Sequence, residues 1–220
     1  MEENFEYSEE YLRAWNAYFY PNTNVFINKL NIKNYEELEK ADIELSFKRL
    51  VELGDMPIVG NFDKEHLLSI HAYLFQDLYD WAGKYRTVFM GKNSSYFAEV
   101  DNIDIYLDDA FNLMQKEILE VHNYYDFIRF LAKYFVILLN IHPFRDGNGR
   151  TIKEFFSEYV LVKSKEILGT EYELNWGNVD AEKLDEAMVL ARTFKAPIEA
   201  ELMKALVKVE ELKKESEILN

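Results

Sequence analysis

The chain has 220 residues, 49% of them hydrophobic, which is enough to bury one sizeable core without requiring a second domain. Its formal net charge of -15 argues against a nucleic-acid backbone or an anionic membrane as the main partner, because both select basic surfaces. It contains no cysteine, which excludes disulfides and thiolate metal sites and fits a reducing compartment.

Nothing in the sequence predicts export or membrane insertion. Residues 1–6 are acidic and lack an apolar core, and no uninterrupted apolar run reaches the ~18 residues that a membrane span needs. We therefore expect a cytoplasmic protein that binds no nucleic acid and no membrane. Its expected partners are proteins with basic or mixed surfaces.

The first part of the chain has the pattern of bundle helices. Apolar residues at helical spacing predict helices over residues 8–20, 34–53 and 64–82. Pro21 is the expected end of the first helix, whereas Asp63 should cap the third and Gly83 should close it.

Residues 85–98 break this helical pattern. Two β-prone runs flank Gly91, Lys92, Asn93 and Ser94, which predicts a short hairpin with a turn at its tip. From the residues alone, a surface hairpin without a role is an equally open interpretation.

Helical patterns then resume and continue to the end of the chain. They predict helices over residues 102–122, 125–141, 149–168, 180–193 and 197–218. One broad apolar face is expected to lie in the core, and it consists of Phe127, Phe130, Leu131, Tyr134, Phe135 and Leu138.

Nine polar or special residues connect two of these helices, and they read His142-Pro143-Phe144-Arg145-Asp146-Gly147-Asn148-Gly149-Arg150. Pro143 disfavours the α region for His142, so the helix should end there with the imidazole at its mouth, placed to transfer protons. Gly147, Asn148 and Gly149 tolerate left-handed backbone angles where the next helix begins. Their N–H groups can therefore converge on an anion such as a phosphate.

Two charged residues complete this pattern. Asp146 brings one hard oxygen beside the anion seat, which suits Mg²⁺ shared with phosphate oxygens. Arg150 adds a fork of donors one turn into the following helix. Together these residues predict chemistry on a nucleotide phosphate.

The nine residues resemble the signature of the Fic (Fido) family, His-x-Phe-x-Asp/Glu-Gly-Asn-Gly/Lys-Arg, in which Arg145 occupies a variable position. The resemblance extends from about residue 20 to 197 and includes residues 75–83. It implies an all-α, Fic-like helical bundle with a short β-hairpin flap over the active site. It also implies an N-terminal helical extension packed on the core, a Fic core domain and a C-terminal helix, over residues 1–62, 63–197 and 198–220.

Members of this family mostly transfer AMP from ATP to a hydroxyl side chain of a target protein and release pyrophosphate. The resemblance implies that His142 is the general base, which takes the proton from a target Ser, Thr or Tyr hydroxyl. Phe144 would be a structural anchor of the loop. Asp146 would hold Mg²⁺ bridging the α- and β-phosphates.

The resemblance also assigns phosphate and target contacts. The amides of Gly147, Asn148 and Gly149 and the Asn148 side chain would cradle phosphate oxygens, and Arg150 would complete the clamp. The flap would hold the target segment by main-chain pairing. Its residues are Met90, Gly91, Lys92, Asn93 and Ser94, with Lys92 near the target or the phosphates.

The sequence departs from its relatives in two places. Many relatives carry a second arginine where this chain has Lys153, which keeps the charge but loses the two-pronged fork that would bind the γ-phosphate. Relatives are also commonly restrained by a Ser/Thr-x-x-x-Glu-Gly/Asn helix. The only glutamate followed by Gly or Asn is Glu3, too near the start to complete that motif.

Three classes of function remain open. The first is a protein adenylyltransferase, which includes the case of a toxin whose small antitoxin supplies the missing glutamate. The second is a Fic-fold transferase that uses another nucleotide donor, which the change at Lys153 keeps open. The third is a non-catalytic binding module, against which the intact motif argues.

Other patterns predict no further site. Gly147-x-Gly149 follows a helix and lacks the third glycine of a dinucleotide-binding loop, and no glycine precedes Gly91-Lys92 at the spacing of a Walker loop. His66 and His71 are five residues apart on different helix faces, which is wrong for a shared metal. We interpret both as partly buried structural histidines.

Overall fold

The computed structural model describes residues 8–92, 95–190 and 196–212. Its helices, in chain order, are α1 (Glu9–Asn16), α2 (Tyr35–Asp55), α3 (Lys64–Phe75), α4 (Ile103–Glu117), α5 (Tyr124–Ile141), α6 (Asn148–Leu168), α7 (Ala181–Leu190) and α8 (Ala196–Ala205). Its strands are β1 (Gly91–Lys92), β2 (Ser95–Tyr96), β3 (Tyr172–Leu174) and β4 (Leu206–Lys208). The mainly helical fold with a short hairpin is as predicted. None of the helices within the described residues has the length and apolar character needed to cross a membrane.

Local capping explains where several helices begin. The side chains of Ser8, Asn34, Asp63 and Asn123 each accept a hydrogen bond from the backbone N–H three residues later, at 2.9 to 3.1 Å. Such a cap typically contributes ~1 kcal/mol, because it satisfies a donor that has no partner inside the helix. The predicted starts of α1, α2, α3 and α5 are therefore confirmed to within one residue.

Three of the first four helices end earlier than predicted. Helix α4 stops at Glu117 rather than residue 122, and the chain beyond α1 and α3 makes tertiary contacts. The first helix stops at Asn16 rather than residue 20, where Phe19 bridges to Phe26 and their rings stack at 4.9 Å. The third stops at Phe75 rather than residue 82. Beyond it, Gly83 has a φ of 73° and donates its N–H to Nδ1 of His71 at 2.7 Å.

The core is built around α5, which contacts α4, α6 and α8. The apolar face predicted for this helix is buried throughout, which confirms its assignment to the core. Phe127 and Phe135 are completely inaccessible to solvent. Truncating such a ring to alanine typically costs ~3–5 kcal/mol of folding free energy. The packing of α5 therefore fixes the position at which the following loop begins, at His142.

The C-terminal part of the chain contains a second small sheet that the sequence analysis missed. Strands β3 and β4 pair antiparallel, with Tyr172 opposite Lys208 and Leu174 opposite Leu206. The helix predicted over residues 197–218 is therefore wrong for Leu206–Lys208, because strand pairing and burial of Leu206 override helical propensity, whereas residues 209–212 are helical again.

Parts of the predictions lie outside the described residues. They are residues 213–218 of the last predicted helix and 191–193 of the one before it. The division into residues 1–62, 63–197 and 198–220 stays a prediction.

The predicted hairpin exists, although its strands are short. Gly91 pairs with Tyr96 and Lys92 with Ser95, and the N–H of Phe97 donates to the carbonyl of Met90 at 3.0 Å. The tip residues 93 and 94 lie outside the described residues. We call residues 86–98 the flap, with residues 86–90 as its first leg and 97–98 as its second.

Candidate active site

The motif loop, residues 142–150, runs from the end of α5 into the first turn of α6. His142 caps α5, and its N–H donates to the carbonyl of Leu138 at 3.0 Å. The predicted helix end before Pro143 is confirmed. His142 has a φ of 51°, however, so it takes the left-handed conformation and not the extended one usual before proline. A non-glycine residue in this region is strained, and the packing around the loop holds it there.

The surroundings of the His142 ring determine which nitrogen can act as a base. Its Nδ1 lies 3.3 Å from the carbonyl oxygen of Leu139, and a carbonyl can only accept a hydrogen bond. When the ring is neutral, its proton therefore sits on Nδ1 and its lone pair on Nε2. The ring of Phe97, on the second leg of the flap, stacks on the imidazole at 3.7 Å with the planes 5° apart. The structure thus fixes both the tautomer and the orientation of His142.

The buried His71 on α3 packs against the motif loop. Phe144 is fully buried and stacks on the ring of His71 at 3.7 Å. His71 accepts the Gly83 N–H on Nδ1, so its Nε2–H donates to the carbonyl of Asp146 at 3.1 Å. Burial lowers the pKa of His71 to about 3, which keeps the ring neutral.

His71 was expected to be only partly buried and without a functional link. Instead it is buried completely and connects α3 to two residues of the motif. No local sequence signal reveals this contact, because the partners are far apart in the chain. Phe144 lies where an anchor of the loop should lie.

The Asn148 side chain closes the loop. Its Oδ1 accepts the N–H of Phe144 at 2.9 Å, and its Nδ2 donates to the carbonyl of Phe144 at 2.8 Å. The residue is only 2% exposed. Both ends of this amide bind the Phe144 backbone, and its contact with phosphate oxygens stays a prediction.

The glycines of the motif differ in their roles. Gly147 has a φ of 77°, and its N–H donates to Oδ1 of Asp146 at 2.6 Å. Of the three residues that tolerate left-handed angles, only Gly147 adopts one, since Asn148 and Gly149 already belong to α6. A Cβ on Gly149 would meet no atom within 4 Å, so the chain leaves open space beside the first turn. The first amides of a helix have no intrahelical acceptor and attract anions.

Helix α2 supplies an acidic partner for Arg150. Nη1 of Arg150 donates to Asp42 in a short ion pair and to the hydroxyl of Ser46 at 2.8 Å. Asp42 is buried and also accepts the hydroxyl of Tyr79 at 2.9 Å. The guanidinium lies 4.6 Å above the ring of Phe75. The sequence analysis missed Asp42, which orients the predicted phosphate clamp.

Asp146 and Arg150 line the same cavity of about 410 Å³, whose walls come mostly from α2. His142 is not among the residues that line it. In the described part of the chain, no group of three or more His, Asp or Glu side chains could hold a metal ion. The exposed carboxylate of Asp146 nevertheless fits Mg²⁺, which usually takes its other ligands from substrate phosphates and water.

The two lysines predicted to contact phosphates, Lys153 and Lys92, lie on different elements of the fold. Lys153 is half-buried one turn after Arg150 on α6, and its ammonium lies 5.4 Å from the centre of the Trp176 ring. The backbone of Lys92 is part of β1. Of the other predicted flap residues, Met90 contacts Nη1 of Arg145 through its sulfur at 3.9 Å. Asn93 and Ser94 lie outside the described residues.

The variable residue of the motif, Arg145, is buried against aromatic rings of the N-terminal segment. Its guanidinium lies 4.3 Å from the ring centre of Trp15, 4.8 Å from Phe26, and 5.3 Å from both Tyr18 and Phe19. Burial lowers the pKa of Arg145 below its usual value. These cation–π contacts connect the N-terminal segment to the motif loop.

The N-terminal segment also holds the first leg of the flap. The hydroxyl of Tyr18 accepts the N–H of Thr87 at 3.0 Å, and the hydroxyl of Tyr11 donates to the carbonyl of Phe89 at 3.1 Å. The second leg is bound to α5, where the N–H of Ala98 donates to the carbonyl of Asn140 at 3.2 Å. The flap is therefore attached at both legs.

Comparison with known proteins agrees with this geometry. The model of the Fic/DOC family matches residues 61–160. Protein adenylyltransferase VbhT of Bartonella schoenbuchensis is 33% identical over 170 residues, covering 77% of this chain but 34% of VbhT, so the chain spans about a third of that relative.

Two further proteins match over nearly their whole length. The probable protein adenylyltransferase y4lH of Sinorhizobium fredii is 30% identical over 193 residues, covering 85% of this chain and 94% of y4lH. The N-terminal Fic domain of a Bartonella effector protein from Bartonella sp. AR 15-3 superposes with a TM-score of 0.78 at 25% identity. That match covers 94% of this chain and 95% of the solved one.

Proposed function

The chain belongs to the Fic/DOC family, and from that premise we propose that it is a protein adenylyltransferase. It transfers AMP from ATP to a Ser, Thr or Tyr hydroxyl of a target protein and releases pyrophosphate. The proposal rests on the complete motif loop, in which an oriented imidazole, a carboxylate, a helix N-terminus and a guanidinium occur within nine residues. The cytoplasm, which supplies ATP, is the proposed site of the reaction.

His142 is the proposed general base. Its Nε2 takes the proton of the target hydroxyl while the hydroxyl oxygen attacks the α-phosphorus of ATP. The bond from the α-phosphorus to the bridging oxygen breaks, and pyrophosphate leaves with that electron pair. The hydrogen bond from Nδ1 to Leu139 and the stacked ring of Phe97 support this role, because they keep the lone pair of Nε2 in a fixed direction.

The first turn of α6 and Arg150 are the proposed phosphate site. Amides that lack an intrahelical acceptor, together with the positive end of the helix dipole, stabilise negative charge that builds up on phosphate oxygens during transfer. Asp42 and Ser46 support this proposal, because they hold the Arg150 guanidinium in one orientation before nucleotide arrives.

Asp146 is the proposed Mg²⁺ ligand. The ion, when bound, neutralises charge on the α- and β-phosphate oxygens. Asp146 is exposed and shares its cavity with Arg150, and the hydrogen bond from the Gly147 N–H fixes one of its carboxylate oxygens.

The flap is the proposed binding site of the target segment. Residues 90–94 would pair with an extended target segment by strand addition, with Lys92 near the target or the phosphates. A cavity of about 510 Å³ beside the second leg supports this, since Phe97 lines it and also stacks on His142. A target segment that reaches this cavity would contact the ring that stacks on His142.

We also propose that a separate antitoxin protein restrains the enzyme. Large apolar side chains of α2 are exposed beside the cavity that holds Asp146 and Arg150, and they include Tyr35 at 53%, Ile43 at 62% and Phe47 at 64%. Such a patch is typical of a surface that another protein covers. The proposal predicts that expressing the chain alone arrests growth or causes cell filamentation, and that His142→Ala abolishes this effect.

A second candidate is a transferase that uses another nucleotide donor. The observation that keeps it open is Lys153, which lies against Trp176 and offers one ammonium instead of an arginine fork. A single ammonium binds the γ-phosphate less specifically than an arginine fork, so a donor with that phosphate gains less advantage over a donor without it.

One experiment separates these functions. The purified chain is incubated with a cell extract and with labelled ATP, UTP, GTP or CDP-choline, in parallel with His142→Ala. Label transferred from ATP by the parent chain but not by the variant is the expected result. A preference for another donor would favour the second candidate, and a non-catalytic binding module would transfer nothing.

A further inference from the structure

Arg86 is buried between the motif loop and both legs of the flap. The residue is only 1% exposed. Its Nε donates to the carbonyl of His142 at 2.8 Å and its Nη2 to that of Ile141 at 3.4 Å. Its Nη1 donates to the carbonyl of Val88 at 2.7 Å, and Nη2 also donates to that of Ala98 at 2.5 Å. One guanidinium therefore binds four carbonyls.

These four carbonyls come from different structural elements. Ile141 and His142 end α5, where carbonyl oxygens lack intrahelical donors and the helix dipole is negative, so a cation is favourable there. Val88 belongs to the first leg of the flap and Ala98 to the second. The backbone N–H of Arg86 adds a further bond, to the carbonyl of Pro143 at 2.8 Å.

Within the described residues, this guanidinium donates its hydrogen bonds to backbone carbonyls, and burial lowers the pKa of Arg86. Burying a cation is costly unless its donors are satisfied. A side chain of this kind is suited to fix backbone segments relative to one another, because an arginine offers five donors in a rigid, planar fork.

Two of the carbonyls that Arg86 binds belong to, or lie next to, the two residues of the stacked pair that contains the proposed base. The residue before Ala98 is Phe97, whose ring stacks on the imidazole of His142. Arg86 binds the carbonyl of His142 and that of Ala98 at the same time. It therefore determines where both rings of the stacked pair lie.

We propose that Arg86 is a positioning residue for the transfer reaction. It acts through His142 and Phe97, keeping the imidazole at one angle and distance from the flap on which the target segment lies. The effect on rate rests on the function proposed above, whereas the effect on the geometry of His142 does not. The residue is buried and lines neither of the two cavities described above, so its loss should lower kcat and leave the KM for ATP nearly unchanged.

The test uses Arg86→Met and Arg86→Lys, with Arg49→Met as the matched control. Arg49 is partly buried, and it binds the carboxylates of Asp77 and Glu52 at 2.8 and 2.7 Å rather than backbone carbonyls, so it controls for a general loss of stability. Each variant is compared with the parent chain by thermal unfolding, hydrogen exchange, NMR of the His142 ring protons, and steady-state kinetics.

The expected results are specific to Arg86. In Arg86→Met, the ring protons of His142 lose the upfield shift caused by the stacked Phe97 ring, and the amides of residues 88–92 and 95–98 exchange faster. The kcat falls by ~100-fold, the loss that a misplacement of ~1 Å can cause, while the KM for ATP changes less than about threefold. Arg86→Lys recovers part of the kcat, because an ammonium keeps the charge but cannot reach all four carbonyls.

Three outcomes would overturn the proposal: a folded Arg86→Met with normal kcat, unchanged His142 ring shifts, or an equal fall of kcat in Arg49→Met. If Arg86→Met does not fold, Arg86→Lys decides by the same criteria. If the parent chain itself transfers nothing, the proposed function fails, and the NMR and exchange measurements still test whether Arg86 holds His142 and the flap.

Discussion

Substituting Gly147 by alanine tests the packing beneath the motif loop. A Cβ at this position would overlap Cε2 and Cζ of the Phe75 ring, and the φ of 77° is unfavourable for alanine. The left-handed backbone costs on the order of 1–3 kcal/mol, and forcing an atom into a packed core costs a further ~1–3 kcal/mol. The free energy of unfolding should therefore fall by ~2–6 kcal/mol.

Gly169→Ala is the matched control. Gly169 has a φ of 69°, but its Cβ would meet no atom within 4 Å. Both variants reduce the entropy of the unfolded chain equally, so that contribution cancels in the comparison. The difference between the two variants isolates the clash with Phe75, and it should be ~1–3 kcal/mol.

Urea unfolding of the parent chain and both variants measures this difference, provided that the slope of the unfolding free energy against urea concentration is the same for all three proteins. Equal destabilisation by the two substitutions would refute the reasoning, because it would mean that no clash exists at Gly147. Nucleotide binding gives a second readout. Displacement of the Phe75 ring moves the surface on which Arg150 lies, so Gly147→Ala, unlike Gly169→Ala, should weaken ATP binding.

Three further predictions concern single side chains. His142→Ala should lower transfer by ~100- to 10,000-fold without changing nucleotide affinity, and near-normal transfer would show that the base is wrongly assigned. Lys153→Ala should weaken ATP binding more than ADP binding, whereas Lys153→Arg should preserve or strengthen ATP binding. Calorimetry with both nucleotides measures these affinities, and equal losses of ATP and ADP affinity in Lys153→Ala would place Lys153 away from the γ-phosphate. Burial, with the nearby charge of Glu158, raises the pKa of Glu154 from 4.5 to about 7, so the folded chain keeps a proton that the unfolded chain releases. The stability of the parent chain should therefore fall between about pH 4.5 and 7, by ~1–3 kcal/mol relative to Glu154→Gln, and parallel pH profiles in urea would contradict this pKa.

Features encoded by neighbouring residues could be predicted from the sequence. Ser8, Asn34 and Asp63 mark helix starts because a cap needs only the N–H three residues later. Pro143 likewise marks the end of α5. Helix ends were predicted less well, since contacts such as the one between Phe19 and Phe26 join distant residues.

The composition of the motif loop was predictable, but its support was not. Asp42, His71 and Arg86 hold Arg150, Phe144 and His142, yet each lies far from its partner in the chain. Nothing in a single sequence indicates such contacts. For the Asn148 amide, the family resemblance predicts a contact with phosphate, whereas the structure shows hydrogen bonds to the Phe144 backbone within the loop.

The aromatic surroundings of Arg145 have a consequence for protein engineering. The family signature leaves this position open, but here it is matched to Trp15 and Phe26, which lie outside the region that the family model covers. A chimera that joins the N-terminal segment of a relative to this core should therefore exchange residue 145 together with that segment. Without this exchange, the chimera would bury a guanidinium against surfaces that were not selected to receive it.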